Sequence, residues 1–284
     1  MPENIRLPAV SGLFYPAEAG HLRKILADLF LAAKTDTRPR PAPAVMCPHA
    51  GYIYSGALAA ATLAQVEIPK RVILVGPTHH GLAAPAALSL ATWRTPLADT
   101  PADTTFAESL LAKSPLIAHD EAGHRREHCL EVQLPFLQYL RPDVSVAPLL
   151  VSAIPFQLCQ EIARALAATI RAAADETLIV ASTDMSHYLP RRQASQLDGL
   201  ALERVLALDP AGLHETCVKY RISMCGFVAV TIVMLTVLEL GQAEAKLVGY
   251  TDSGASSGDV ERVVGYAGVI FREKETSASP SVTA

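Results

Sequence analysis

The sequence predicts a single three-layer α/β domain, with a central mostly parallel or mixed sheet flanked by helices. Three observations predict it. Short apolar runs rich in β-branched residues, such as Val72 to Val75, read as strands buried on both faces. Amphipathic helical stretches alternate with these runs, the pattern of a sheet covered on two sides. Polar, titratable residues follow three of the strands at their carboxyl ends, where open α/β sheets place their sites.

Residues 11 to 18 form a turn into a first helix, whose apolar face holds Leu22, Ile25, Leu26, Leu29 and Phe30. Residues 35 to 43 are polar and proline-rich, a surface linker. Ala44 to Cys47 is a short strand that runs into Pro48-His49-Ala50-Gly51-Tyr52; Ser55 or Gly56 then opens an alanine-rich helix to about Val66. Gly76 and Pro77 stop the next strand, and His79 and His80 follow. Ala86 to Leu90 reads as a strand, and the segment after it, with Trp93, reads as exposed.

Phe106 to Lys113 is a short helix. A further helix is predicted from about Glu127 to Tyr139, with Pro135 as a kink or stop. Val144 to Val151 is a strand, and Phe156 to Ala173 an amphipathic helix with Leu158, Ile162, Ala165, Leu166 and Thr169 on one side. Strand Thr177 to Ala181 ends in Ser182-Thr183-Asp184-Met185-Ser186-His187-Tyr188. Helices follow at about Gln193 to Leu208 and from Asp209 and Pro210; Tyr220 to Cys225 leads into an apolar one. Ala245 to Tyr250 and Val263 to Phe271 are the last strands, around a Gly/Ser-rich loop. With no repeat and no domain break, residues 1 to 271 form one domain and 272 to 284 a disordered tail.

Composition excludes several classes. The 24 basic residues are outnumbered by 28 acidic ones and form no stripe, so nucleic acid is not an expected partner. The five cysteines include no CxxC pair, which argues against a disulfide framework and for a reducing cytoplasm. Met224 to Leu238 carries no charge but is shorter than the ~18 residues of a membrane span, so it reads as a buried helix. The N-terminus lacks the apolar core of a signal peptide. The apolar, weakly charged composition is compatible with a homodimer.

Strand ends of one sheet lie side by side, so His49, His79 and His80, and the pair Asp184 and His187, can converge. Imidazole is the commonest ligand for iron, copper and zinc, and a carboxylate or thiolate often completes the set. A lone histidine is more often structural, but three strand-end histidines point to a metal or acid–base site. Asp184 and His187 share a face if their turn is helical. Glu127, His128 and Glu131 form another local cluster. Cys225 stands at the start of the apolar helix, where a helix N-terminus favours thiolate. The other four cysteines read as ordinary small residues, and His119, His124 and His214 as solvent-facing.

Several segments carry a resemblance when taken together. They are Gly12 to Pro16, Pro48 to Tyr52 with Tyr54-Ser55-Gly56, Gly76-Pro77-Thr78-His79-His80, Trp93 to Leu97, Glu127-His128 with Glu131, Ser182 to Tyr188, and Cys225-Gly226. In this order they resemble the Memo family, the B component of the AmmeMemoRadiSam group, to about Phe271. That family is similar to class III extradiol dioxygenases, non-haem iron enzymes that cleave catechol rings, and the resemblance implies their fold. It implies metal ligands at His49, His79 and Cys225, the cysteine standing where the dioxygenases use glutamate. It places Asp184 and His187 in the same pocket, with His187 as acid–base group and Asp184 orienting it. His80, His128, Glu131 and Tyr52 are expected to line the substrate pocket. Fe(II) is the expected ion, copper possible and zinc less so. The alternative is a binding adaptor that uses a vestigial site, with radical-SAM and AMMECR-type proteins as companions. A zinc hydrolase is disfavoured, because no glutamate stands at a recognisable base position.

Overall fold

The computed structural model describes residues 4–33, 38–173 and 175–274. Among these the strands are β1 (Ile5–Arg6), β2 (Ala44–Cys47), β3 (Arg71–Pro77), β4 (Ala86–Leu88), β5 (Thr92–Arg94), β6 (Asp99–Thr100), β7 (Ile117–His119), β8 (Ser145–Val151), β9 (Thr177–Ser182), β10 (His187–Leu189), β11 (Ala243–Asp252) and β12 (Val263–Glu273). The helices are α1 (Ala19–Ala32), α2 (Tyr52–Leu63), α3 (Thr104–Lys113), α4 (Glu121–His124), α5 (Leu134–Leu140), α6 (Phe156–Ala172), α7 (Arg191–Leu206), α8 (Pro210–Tyr220), α9 (Phe227–Leu240) and α10 (Gly254–Ser257).

The main sheet has the order β10-β12-β2-β9-β3-β8-β4-β7, with β11 also paired to β12. Its centre, β2-β9-β3-β8, is parallel; β4 joins β8, and β12 joins β2, antiparallel. The sheet is therefore mixed, as expected for one α/β domain. Side chains alternate between two cores. Ala44, Met46, Ile73 and Val75 face the layer that holds α6 and α9, while Val45, Cys47, Val72 and Leu74 face the layer of α1 and α2. Both faces are covered, which is why these runs are apolar throughout. Helix α9 is the uncharged stretch, buried against β3, β9 and α6. No helix among the described residues is long and apolar enough to cross a membrane.

Most elements fall where the sequence places them, and the departures have physical reasons. Strand β3 does not stop at Gly76 but continues through Pro77 beside β8. Pairing with β9 ends at Val75, so the missing N–H of Pro77 leaves no rung open on that side. Helix α2 opens at Tyr52, three residues early, directly after Gly51. Pro135 neither kinks nor stops a helix. It stands in the first turn of α5, where an N–H has no intrahelical partner anyway, and a single 3-10 turn (Glu131–Gln133) precedes it. The Gly/Ser-rich loop holds the one-turn α10. Strand β12 runs two residues beyond Phe271, and the rest of the expected tail, from 275, lies outside the described residues, as do 35–37 of the expected linker.

Trp93 is the largest departure: it is fully buried. Its strand β5 pairs with β1, its Nε1 donates to Ser89 Oγ at 3.0 Å, and the Arg6 guanidinium covers its ring at 4.3 Å. Arg6 is itself buried and paired with buried Glu131. Glu131 also accepts from Ala9 N (2.7 Å), Val10 N (3.0 Å) and the Tyr15 hydroxyl (2.6 Å). This cluster staples the N-terminal segment to the turn before α5. Removing one partner of a buried ion pair strands the other charge, which costs about 3–5 kcal/mol. Arg6→Ala should therefore lose about that much stability in urea unfolding; a loss below about 1 kcal/mol would show that Glu131 does not depend on Arg6.

Candidate metal centre

Strands β2, β9 and β3 are adjacent and parallel, so their carboxyl ends form one rank. Register puts Cys47 beside Ser182 and Val75 beside Ala181. A step further on, the three strands deliver His49, Asp184 and His79. Two glycines let other segments press onto this rank. A Cβ on Gly76 would meet Leu130 at 2.7 Å and Cys129 at 3.0 Å, so the chain carrying Glu127 and His128 packs directly on β3. A Cβ on Gly226 would meet Thr183 at 2.5 Å and the Ser182 carbonyl at 2.7 Å, so the start of α9 lies against β9 and brings Cys225 in.

Three imidazoles converge as a result. Ring centroids are 5.5 Å apart for His49 and His79, 5.4 Å for His49 and His128, and 4.5 Å for His79 and His128. One ring nitrogen from each lies within 4.8 Å of the other two, close enough to share one metal ion. His49 is buried, and His79 and His128 are partly open. Cys225 Sγ is 3.3 Å from His49 Nε2.

The charges suit ligands. Burial, then the neighbouring His79 and His187, hold His49 well below the usual imidazole pKa. Burial, then His49 and His79, lower His128 to about 3. Both are neutral bases near pH 7, the form that binds metal. Burial alone would raise Glu127, but hydrogen bonds from the His79 ring and backbone outweigh it and bring the carboxyl down to about 2. Burial and Asp184 push the Cys225 thiol up to about 12, so the expected thiolate at the start of α9 is not found without a metal. Burial raises Asp184 to about 6.

His79, Glu127 and Cys129 form a second group with metal-ligand types, but its members are engaged otherwise. Glu127 Oε2 accepts from His79 Nδ1 at 3.0 Å. Its Oε1 takes the backbone N–H groups of His79 and, at 3.0 Å, of His80. Cys129 donates to the Pro77 carbonyl at 3.1 Å. Glu127 thus aims the His79 ring, as outer carboxylates do for ligating histidines.

His49, His79, Cys225, His128, Asp184 and His187 of the sequence-derived site share this region. Asp184 and His187 do so differently from expectation. Their turn is not helical, and His187 starts β10. Asp184 Oδ1 accepts the backbone N–H of His49 at 2.8 Å and so orients that loop rather than His187. Ser223 orients His187: its hydroxyl accepts the His187 N–H and its carbonyl the Nδ1–H, both at 2.8 Å. That leaves Nε2 as the ring nitrogen not engaged by Ser223.

Three expected pocket residues do not line the site. The His80 ring is exposed, and only its backbone N–H joins the cluster. Tyr52 is buried against Tyr15 and Phe136, with its hydroxyl on the Val132 carbonyl at 2.8 Å. Glu131 belongs to the Arg6 staple. His124, expected in solvent, is buried against Trp93 with Nε2 on the Ala87 carbonyl. Gln133 and Asp198 touch the site's supports, yet no sequence pattern singles them out; Ser182 lies in the Ser182–Tyr188 segment, where Asp184 and His187 carry the signal. The sequence marks Glu127 only as part of the cluster with His128 and Glu131, with no role assigned.

A family model described as Memo-like protein matches residues 6–270. The chain belongs to that family. A MEMO1 family protein of Methanopyrus kandleri is 38% identical over 279 residues, covering 94% of this chain and 99% of that one. One from Aquifex aeolicus is 37% identical over 269 residues, with the same coverage. An uncharacterized protein of Escherichia coli K12, solved by crystallography, aligns with a TM-score of 0.55 at 16% identity, over 81% of this chain and 99% of that one. It shares the fold. The Memo segments named above all fall inside the matched region, and the converging histidines lie on three of them.

The Asp184–His187 turn rests on one further buried carboxylate. Asp198 of α7 accepts Ser186 N at 2.9 Å and the Tyr250 hydroxyl at 2.7 Å. Burial raises its pKa more than these hydrogen bonds lower it. A raised folded-state pKa contributes stability that is full below the unfolded value of about 3.9 and is lost as pH rises through the folded one. Asp198→Asn cannot ionise, so the mutant's stability relative to wild type should improve in urea unfolding as pH rises from about 4 through the raised folded-state value. A constant difference across that range would place the ionisation elsewhere.

Proposed function

We propose that the chain is a metal-binding, dioxygenase-like redox protein with a mononuclear non-haem site at the carboxyl ends of β2 and β3. The observation that carries this reading is the convergence of His49, His79 and His128, each with a ring nitrogen within 4.8 Å of the other two. The donor set fits a metal: the neutral imidazoles of His49 and His128, the His79 ring backed by the Glu127 carboxylate, and a thiol alongside. Fe(II) is the preferred ion, copper the alternative and zinc less favoured. His49 and His79 are common to every arrangement. Family resemblance favours Cys225 as third ligand, and the ring geometry favours His128.

A bound iron or copper ion would supply Lewis-acid and redox chemistry toward substrate and dioxygen. The chain's own groups supply the rest. Glu127 holds the His79 ring and its loop. Asp184 holds the loop of His49. His187, oriented by Ser223, takes and returns a proton at Nε2.

Protein purified without oxygen should hold about one iron or copper per chain by elemental analysis, and His49→Ala and His79→Ala should abolish it. Loss in only one of Cys225→Ala and His128→Ala identifies the third ligand. His187→Ala should keep the metal and lower turnover of a catechol by about 10²–10⁴-fold. Wild type that neither carries metal nor takes up added Fe(II) or Cu would end the redox reading in favour of a binding protein.

A further inference from the structure

The hydrogen-bond arithmetic behind His49 has one solution. Ser182 Oγ has three partners: the Cys129 carbonyl at 2.7 Å, Gln133 Nε2 at 3.0 Å and His49 Nδ1 at 3.0 Å. A hydroxyl has one proton to give, and the carbonyl can only accept, so that proton goes to Cys129. Gln133 cannot be turned around, because its Nε2 also donates to the Pro48 carbonyl at 2.9 Å. Ser182 Oγ is therefore an acceptor toward Gln133 and toward His49, and His49 must carry its proton on Nδ1.

A competing arrangement is close at hand. The Asp184 carboxylate lies 4.0 Å from His49 Nε2 and would draw a proton to that nitrogen. Held there, the proton would block the lone pair that faces His79, His128 and Cys225. The chain also tolerates a cost to prevent this: the Gln133 Oε1 atom is buried with no hydrogen-bond partner among the described residues. Buried unpaired carbonyls are uncommon, and here the amide is spent on the orientation of its NH₂ group.

We infer that Gln133 and Ser182 are positioning residues that lock His49 in the Nδ1–H tautomer and keep Nε2 open for a metal ion. This rests on the metal reading above and deepens it. Ser182 supplies the acceptor. Gln133 pins the hydroxyl, so that it cannot rotate and donate to His49 instead. Neither residue touches the ion.

The test pairs two readouts on the full chain. Nitrogen-15 spectra of the histidine rings, taken on metal-free protein, should show His49 protonated at Nδ1 and bare at Nε2. In Ser182→Ala the Nε2-protonated form should appear, and Zn(II) affinity, measured by competition with a chromophoric chelator, should fall by about 10–100-fold, the usual effect of losing an outer partner of a ligating histidine. Ser182→Thr, which keeps the hydroxyl, should restore both. If Ser182→Ala does not fold, Gln133→Met serves instead and should mix the tautomers. Wild-type His49 protonated at Nε2, or variants in which tautomer and affinity both stay unchanged, would overturn the inference. Wild type that binds no Zn(II) would count against the metal reading alone, since the tautomer spectra still decide the lock.

Discussion

Everything at the site depends on the pairing of three parallel strands, β2, β9 and β3, in one register. Parallel pairing sends all three chains out of the sheet on the same side. Both faces are packed with helices, so the strand ends are where side chains can gather away from the cores. A shift of one residue in β2 would turn the His49 loop through the sheet, away from Asp184 and Ser182. The apolar alternation of Ala44, Val45, Met46 and Cys47 between two cores is thus what aims the histidine.

Close approach does the second part of the work. Gly76 and Gly226 leave no room for a Cβ. At the first, the Glu127–Cys129 chain comes down on β3; at the second, α9 comes down on β9. Each contact supplies what the strands cannot: a carboxylate and an imidazole on one side, a thiol on the other. A Cβ at either position forces a neighbour to shift, the Leu130 and Cys129 side chains at Gly76 and Thr183 with the Ser182 backbone at Gly226, and so disturbs the approach that gathers these groups.

Much of this was legible in the sequence. Strand β3 and helix α6 follow directly from a β-branched run and 3.6-residue periodicity, and strand-end histidines point to a site in an open α/β sheet. What was hidden follows a rule. Trp93 and His124 read as surface residues because their partners are remote in sequence: Trp93 lies under Arg6, and His124 meets Ala87. Local pattern carries no information about such pairs. Glu127 and Glu131 show the same limit. They are four apart in one segment, yet Glu127 braces His79 and Glu131 anchors the N-terminal segment. Chemistry alone could not divide them between site and scaffold; only the direction of each side chain does. Tyr52 and His80 fail for the opposite reason. They lie close in sequence to the converging histidines, but neighbours along a chain point different ways.

The electrostatics of the centre bear on what it can hold. Imidazole ligands carry no charge of their own, so three of them would leave a divalent ion with its full charge in a partly buried pocket, and such a charge would need compensation. Two carboxylates are near without serving as ligands. Glu127, brought down to about 2, is ionised and lies behind His79, so its charge would reach a bound ion through the ring. Asp184, 4.0 Å from His49 Nε2, is the second, and a nearby cation would favour its ionised form. Cys225 offers a third negative charge, one that appears only when a metal displaces the thiol proton. The two candidate third ligands therefore make different centres. With His128 the compensation stays in the outer carboxylates and the ion keeps a hard, electrophilic character. With Cys225 a thiolate neutralises it directly and favours a softer, more readily redox-active metal. The choice of third ligand is thus also a choice of chemistry.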